Sequence, residues 1–213
     1  MPFSFSPPRP EVIIAILVAF IVGTTFHEFA HAWTAQKLGD DTAERQGRVT
    51  LNPLSHFDPV GFIGMLLIAI GGFGIGWGKP VPINAAKLRG RQRGFVVATL
   101  AGPLSNVLLA LIFAAPIRLG APPLPDFPNQ LVSQMILINM LLAAFNLIPI
   151  PPLDGFRILS GILPRFWQPF LAPLEQYGVF VLLILIFFGG FGMSILIPMY
   201  QPVFQALQRL VLG

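Results

Sequence analysis

The sequence has no cysteine, few charges and only three histidines. Without cysteine there is no disulfide and no thiolate ligand, so Cys-type zinc sites are excluded. The redox compartment is left open. Charged residues make up 10% of the 213 residues, against about 25% in an average soluble domain. A soluble globular domain is therefore excluded. Disorder is excluded too, because it needs low hydrophobicity with high charge. Acids number nine against 13 basic residues, a net charge of +4. Basic residues at helix ends orient membrane segments, which accounts for this balance without a nucleic-acid partner. Any imidazole chemistry must use His27, His31 or His56.

What is present is apolar. Hydrophobic residues reach 54%, 20 of them Phe, and the mean hydropathy is +0.75. Glycine (21) and proline (22) are abundant, and membrane helices tolerate both. The composition predicts an all-α integral membrane protein. Residues 1–213 are expected to form one membrane-embedded domain of about four to five spans. Residues 11–36 make the first span, because 26 residues at ~1.5 Å each cross a ~30 Å core. A signal peptide does not fit, since the stretch is too long and lacks a small-residue cleavage site. Further spans are expected at 95–117, 131–150 and 177–197, with an interfacial helix at 200–213. Residues 38–59, 118–130 and 152–175 are expected to be connections.

The segment 60–77 is apolar but holds six glycines, and glycine-dense sequence is poor helix. It either crosses or re-enters. If it re-enters, Lys37, Arg45, Arg48, Lys79, Lys87, Arg89, Arg91, Arg93, Arg157 and Arg165 share one side. That leaves three, Arg9, Arg118 and Arg209, on the other. If it crosses, the split is eight against five. The positive-inside rule favours re-entry, with the ten facing the cytoplasm. Arg89, Arg91 and Arg93 are then topology determinants near anionic lipid. Lys79 to Asn84 carries two prolines and is expected to be extended, an edge on which an unwound peptide could pair.

The first span contains His27, Glu28 and His31. Ionisable residues inside a membrane helix are costly and mark function. His27 and His31 are four residues apart and share a helix face, which makes a two-point metal site. Glu28 lies about 100° round the helix, beside a metal rather than on it. This is the H-E-x-x-H pattern of zinc hydrolases. A bound metal also removes the cost of burying these groups alone. A catalytic zinc takes three protein ligands and keeps one position open. Asp154, His56 and Asp58 are all candidates for the third, and spacing does not choose among them. Prolines at 149, 151 and 152 deny helix before Asp154, and Gly155 permits a tight turn there.

With these blocks in order, the chain resembles the site-2 protease family of intramembrane zinc metalloproteases. The resemblance rests on FHEFAHAW at 26–33, AGPLSN at 101–106 and NLIPIPPLDG at 146–155. NPLSHFDPVG at 52–61 and FGIGWGKPVPIN at 73–84 also match, as in short members without a PDZ domain. The blocks span most of residues 20–160. The resemblance implies that His27, His31 and Asp154 bind one zinc per chain. It implies that Glu28 is the base and that Asn146 assists the oxyanion or the substrate backbone. It implies a core of three spans, 11–36, 95–117 and 131–150, and a substrate that is a membrane-spanning protein or peptide. Phe156 departs from the pattern, where many members carry a second glycine; it lies beyond the ligand.

The location that follows is a multi-pass protein of a bacterial-type plasma membrane, with the site opening to the cytoplasm. Asn52, His56 and Asp58 either line the mouth or build the loop, since Asn-Pro and Asp-Pro form turns. Gly102 and Asn106 are expected to serve helix packing. The competing readings are a non-catalytic membrane metal protein or metal transporter, and an inactive homologue that binds membrane proteins. A transporter has no need of a non-ligating base at Glu28, and retention of all four site residues opposes the inactive homologue.

Overall fold

The computed structural model describes residues 8–71, 74–187 and 189–213, with backbone alone at 165, 187 and 189–193. Among the described residues every regular element is helical. In chain order they are α1 (Pro10–Lys37), α2 (Thr42–Arg45), α3 (Pro59–Gly71), α4 (Gln92–Arg118) and α5 (Asp126–Asn146). Then follow α6 (Asp154–Ile162), α7 (Gln168–Gln176), α8 (Gly178–Phe187) and α9 (Gly189–Leu212). Three of them, α1, α4 and α5, are long and apolar enough to cross a membrane. A fourth span exists if α7 and α8, bent by 64°, are taken as one. This is the all-α membrane bundle that the composition predicts.

The local chemistry of α1 fits its ends. Pro10 sits in its first turn with Glu11, and Lys37 sits in its last. Proline is preorganised for a helix start, and each charge opposes the dipole at its end. The helix stops at Gly39, whose φ of +102° suits glycine. Asp40 N–H returns to Ala35 O at 2.9 Å. The faces that α1, α4 and α5 present to one another are lined by small residues. Ala15, Ala19, Gly23, Ala32 and Ala35 are buried on α1, Ala98, Gly102, Ala110 and Ala114 on α4, Ala143 and Ala144 on α5. Small side chains let membrane helices approach closely. That approach sets the polar groups of all three helices within hydrogen-bonding reach.

The segment after the loop goes in and comes back. α3 has 13 residues, about 20 Å at helical rise, too short for a ~30 Å core. The returning segment lies directly on it. A Cβ on Gly61 would stand 2.0 Å from Trp77 O, and one on Gly64 1.8 Å from Ile75 O. Only glycine allows backbone to pack that tightly. Lys79 N–H then bonds His56 O at 2.9 Å, so the segment ends beside its own start. The opposite face of α3 exposes Val60, Ile63, Leu67 and Ile70, an apolar stripe suited to lipid. The basic loop joins the same end of α1, through Arg89 N–H to Leu38 O and Lys87 Nζ to Asp41 Oδ1. Arg118 lies at the opposite end, bonded to Leu210 O near Arg209.

Two expectations change. Residues 152–175 are not a plain connection: they form α6, a 3-10 turn at Arg165–Trp167, and α7. The expected span at 177–197 is instead α8 followed by α9, with residue 188 outside the described residues. α9 runs on through Pro198 and Pro202, since neighbouring helices make internal prolines tolerable in membrane helices. Residues 200–213 are therefore not a separate interfacial helix. Leu207 and Val211 are buried against Ala110, Ala114, Ile136, Met140 and Ala144.

Candidate metal centre

His27 and His31 stand one turn apart on α1, with Nε2 atoms 3.0 Å from each other. The third group arrives from beyond α5. Pro149, Pro151 and Pro152 prevent helix, and α6 opens with Asp154 in its first turn. Gly155 is needed there for close approach rather than for its φ. A Cβ would meet Leu147 O at 2.3 Å and Ile148 O at 2.4 Å. The chain thus doubles back on the end of α5 and delivers Asp154 Oδ2 to 2.9 Å from His27 Nε2 and 3.1 Å from His31 Nε2. All three residues are buried.

The outward nitrogens fix what the inward ones do. His31 Nδ1 donates to Ala98 O at 2.8 Å; a carbonyl only accepts, so in the neutral imidazole His31 Nε2 keeps its lone pair. His27 Nδ1 faces Asn106 Oδ1 at 2.7 Å. Two imidazole lone pairs and a carboxylate oxygen then converge, three acceptors with edges of 2.9–3.1 Å. Three acceptors repel unless a cation or a proton lies between them. Tetrahedral ligands at zinc distances of ~2.0–2.1 Å stand about 3.3 Å apart, close to this triangle. The donor set fits zinc, with each histidine held from behind as metal-bound histidines are. α4 forms one wall: a Cβ on Gly102 would lie 2.3 Å from His31 Nε2 and 2.8 Å from His27 Cε1.

Glu28 Oε2 accepts from Val81 N–H at 2.8 Å. The segment 79–84 is pinned along its length: Arg48 Nη2 donates to Lys79 O, and Asn84 N–H donates to Asp40 Oδ2 at 2.6 Å. With Pro80 and Pro82 lacking N–H, the amide of Ile83 has no hydrogen bond among the described residues. The segment is thus a poor donor edge in this conformation.

The rival ligands lie elsewhere. His56 Nε2 donates to Thr50 O at 2.8 Å, and its Nδ1 faces Arg48 Nη2 at 3.5 Å. Burial pushes its pKa down, which keeps it neutral. Asp58 Oδ1 accepts from Gly61 N–H at the start of α3, and Asn52 Oδ1 accepts from Leu54 N–H. Both build turns, while Asp58 and His56 also line a cavity of about 380 Å³ with Thr24, Thr25, Trp77 and Gly78. Asn146 bonds Leu142 O of its own helix at 3.0 Å. Asn106 does more than pack helices, contrary to expectation, because it reaches His27 directly. Its signal was present in AGPLSN: Gly102 and Asn106 share the four-residue spacing of the two histidines.

A model of peptidase family M50 matches residues 126–189. The chain is 39% identical over 208 residues to "Putative zinc metalloprotease YwhC" of Bacillus subtilis, covering 94% of this chain and 90% of that one. The chain belongs to peptidase family M50. Among other relatives, "Putative zinc metalloprotease Rip2" of Mycolicibacterium smegmatis is 32% identical over 177 residues, 82% of this chain and 67% of its own. "Putative zinc metalloprotease MJ0611" of Methanocaldococcus jannaschii is 32% identical over 193 residues, 84% and 87%. No solved structure matches. The two histidines and Asp154 are the one group among the described residues placed to hold a metal ion.

Proposed function

We propose that this M50 chain hydrolyses peptide bonds within or next to membrane-spanning segments of other proteins. The observation that carries the reading is the convergence of His27, His31 and Asp154 in a bundle of membrane-length helices. His27, His31 and Asp154 would hold the zinc, which when bound would lower the pKa of a water towards 7 and polarise the scissile carbonyl. Glu28 takes the water's proton and passes it to the leaving amine. The Val81 N–H on Oε2 orients the carboxylate and leaves Oε1 for the proton. Asn146 donates to the oxyanion with the second N–H of its amide, the first being given to Leu142 O.

The substrate helix unwinds locally, because helical carbonyls are already bonded and shielded. Pairing along 79–84 requires that segment to release its present partners. Val81 is committed to Glu28, so proline at Ile83 is the cleaner probe; unchanged cleavage there argues against pairing. The ten basic residues near the Lys37 end favour a cytoplasmic opening under the positive-inside rule.

Glu28→Gln tests the assignment. The variant should keep stoichiometric zinc and lose nearly all cleavage of single-span substrates in detergent or liposomes. A Glu28→Gln protein that still turns over would exclude Glu28 as the base.

A further inference from the structure

Asn106 and Asn139 are both completely buried between α1, α4 and α5. A primary amide has two N–H donors and one carbonyl. Both donors of Asn106 are used: Nδ2 gives one to Gly23 O at 3.0 Å and one to Asn139 Oδ1 at 2.9 Å. Its Oδ1 must then face His27 Nδ1, and it can only accept. His27 therefore carries its hydrogen on Nδ1 and presents a bare Nε2. Asn139 is fixed in turn, because its Nδ2 donates to Met135 O at 2.7 Å. Its oxygen is thereby held towards Asn106. Flipping the Asn106 amide would set its oxygen against two carbonyl oxygens and offer His27 a donor. His27 would then carry hydrogen on Nε2, the atom that faces His31 and Asp154. Gly23 makes room for the junction: a Cβ would stand 3.0 Å from Asn139 Oδ1 and 2.7 Å from Leu142 Cδ1.

We propose that Asn139, whose hydrogen bonds go to Asn106 and Met135 O and not to the metal-binding group, is a positioning residue that locks the Asn106 amide and so selects the metal-binding face of His27. The direction of the whole chain is set by a helix carbonyl, Met135 O, at the far end of the relay from the imidazole. With Asn139 gone, one of the two contacts opposing the flip disappears. The non-binding form of His27 then gains population, and zinc affinity falls by that fraction. Outer partners of metal ligands are typically worth about 10–100-fold in affinity. The more remote position of Asn139 puts it near the lower figure, about 10-fold.

The proposal rests on His27 being a zinc ligand, and the test separates the two. The full chain is purified in detergent as wild type, Asn139→Leu, Asn106→Ala and the double variant. Zinc affinity is measured by competition with a chromogenic chelator, with His27→Ala as the control. The expected result is about a 10-fold loss for Asn139→Leu and no further loss when it is added to Asn106→Ala. Such non-additivity is what action through Asn106 requires and what general loosening of the core does not give. Zinc affinity of Asn139→Leu within about twofold of wild type overturns the relay, as does an equal loss in both backgrounds. Should Asn139→Leu not fold, Asn139→Ala runs the same cycle with the same criteria. If His27→Ala retains zinc, the ligand reading itself fails.

Discussion

Gly102→Ala is the smallest change aimed at the metal centre from outside it. The added methyl would lie 2.3 Å from His31 Nε2, 2.4 Å from His31 Cε1 and 2.8 Å from His27 Cε1. Ordinary carbon–nitrogen contact is about 3.5 Å, so the ring or the helix must move by roughly 1 Å. The backbone of α4 cannot easily withdraw, because His31 Nδ1 is bonded to Ala98 O on that same helix. Moving α4 drags the imidazole with it; moving the imidazole breaks that bond. Metal sites tolerate about ±0.2 Å in their distances, so a shift several times larger removes most zinc binding. Overpacking a tight core adds a stability cost of about 1–3 kcal/mol. The assay is zinc content after purification with a chelator competition curve, beside a melting curve in detergent. The expected outcome is a loss of zinc affinity on the order of 100-fold or more, the upper end for disturbed ligand support, with a folded, destabilised protein. Stoichiometric zinc at wild-type affinity in Gly102→Ala would refute the placement of α4 against the two rings.

Three more outcomes follow from the contacts. Gly155→Ala should displace Asp154, because its methyl would meet backbone oxygens at 2.3 and 2.4 Å; zinc affinity should fall with a cost of about 1–3 kcal/mol, read by the same competition and by denaturation. Arg48→Ala should release Lys79 O and cost about 1.5–3 kcal/mol, the range for a hydrogen bond to a charged group; a cysteine placed at position 79 should label faster in that background, and Arg48→Lys should restore part of the protection. The Lys87 hydrogen bond, with Arg45, holds the Asp41 carboxyl below its usual range. A depressed carboxyl stabilises above its unfolded pKa and loses that contribution as pH falls through its folded value. Wild type should therefore melt above Asp41→Asn at neutral pH, and the gap should close as the carboxyl is protonated in acid.

The helical class and the metal pair were legible because both are local. Apolar length reports a span, and a four-residue spacing puts His27 and His31 on one face. Glycine density permits both crossing and re-entry of 60–77, and only the split of basic residues favoured the return. The packing of Gly61 and Gly64 on Trp77 and Ile75 carbonyls decides it. The third ligand was not readable from spacing. Asp154 lies 123 residues from His31, and His56 and Asp58 were open alternatives until the loop revealed their own hydrogen bonds. Asn139 was invisible, because its partner Asn106 is 33 residues away on another helix and a single Asn on an apolar face has no periodic signature. Residues 200–213 continue α9 rather than forming a separate helix, because Pro198 and Pro202 are tolerated among packed membrane helices.

The central claim is zinc-dependent proteolysis at membrane depth. Its most direct measurement uses the purified chain in liposomes with a panel of single-span proteins, with the cut positions mapped by mass spectrometry. The protein is assayed as purified, after zinc is stripped, and after zinc is restored. Cuts inside or beside the apolar segment, lost on stripping and regained with zinc, are the expected result. A folded wild-type protein that holds stoichiometric zinc yet cuts no member of the panel would contradict the proteolytic reading. A folded protein that binds no zinc would contradict the metal centre itself.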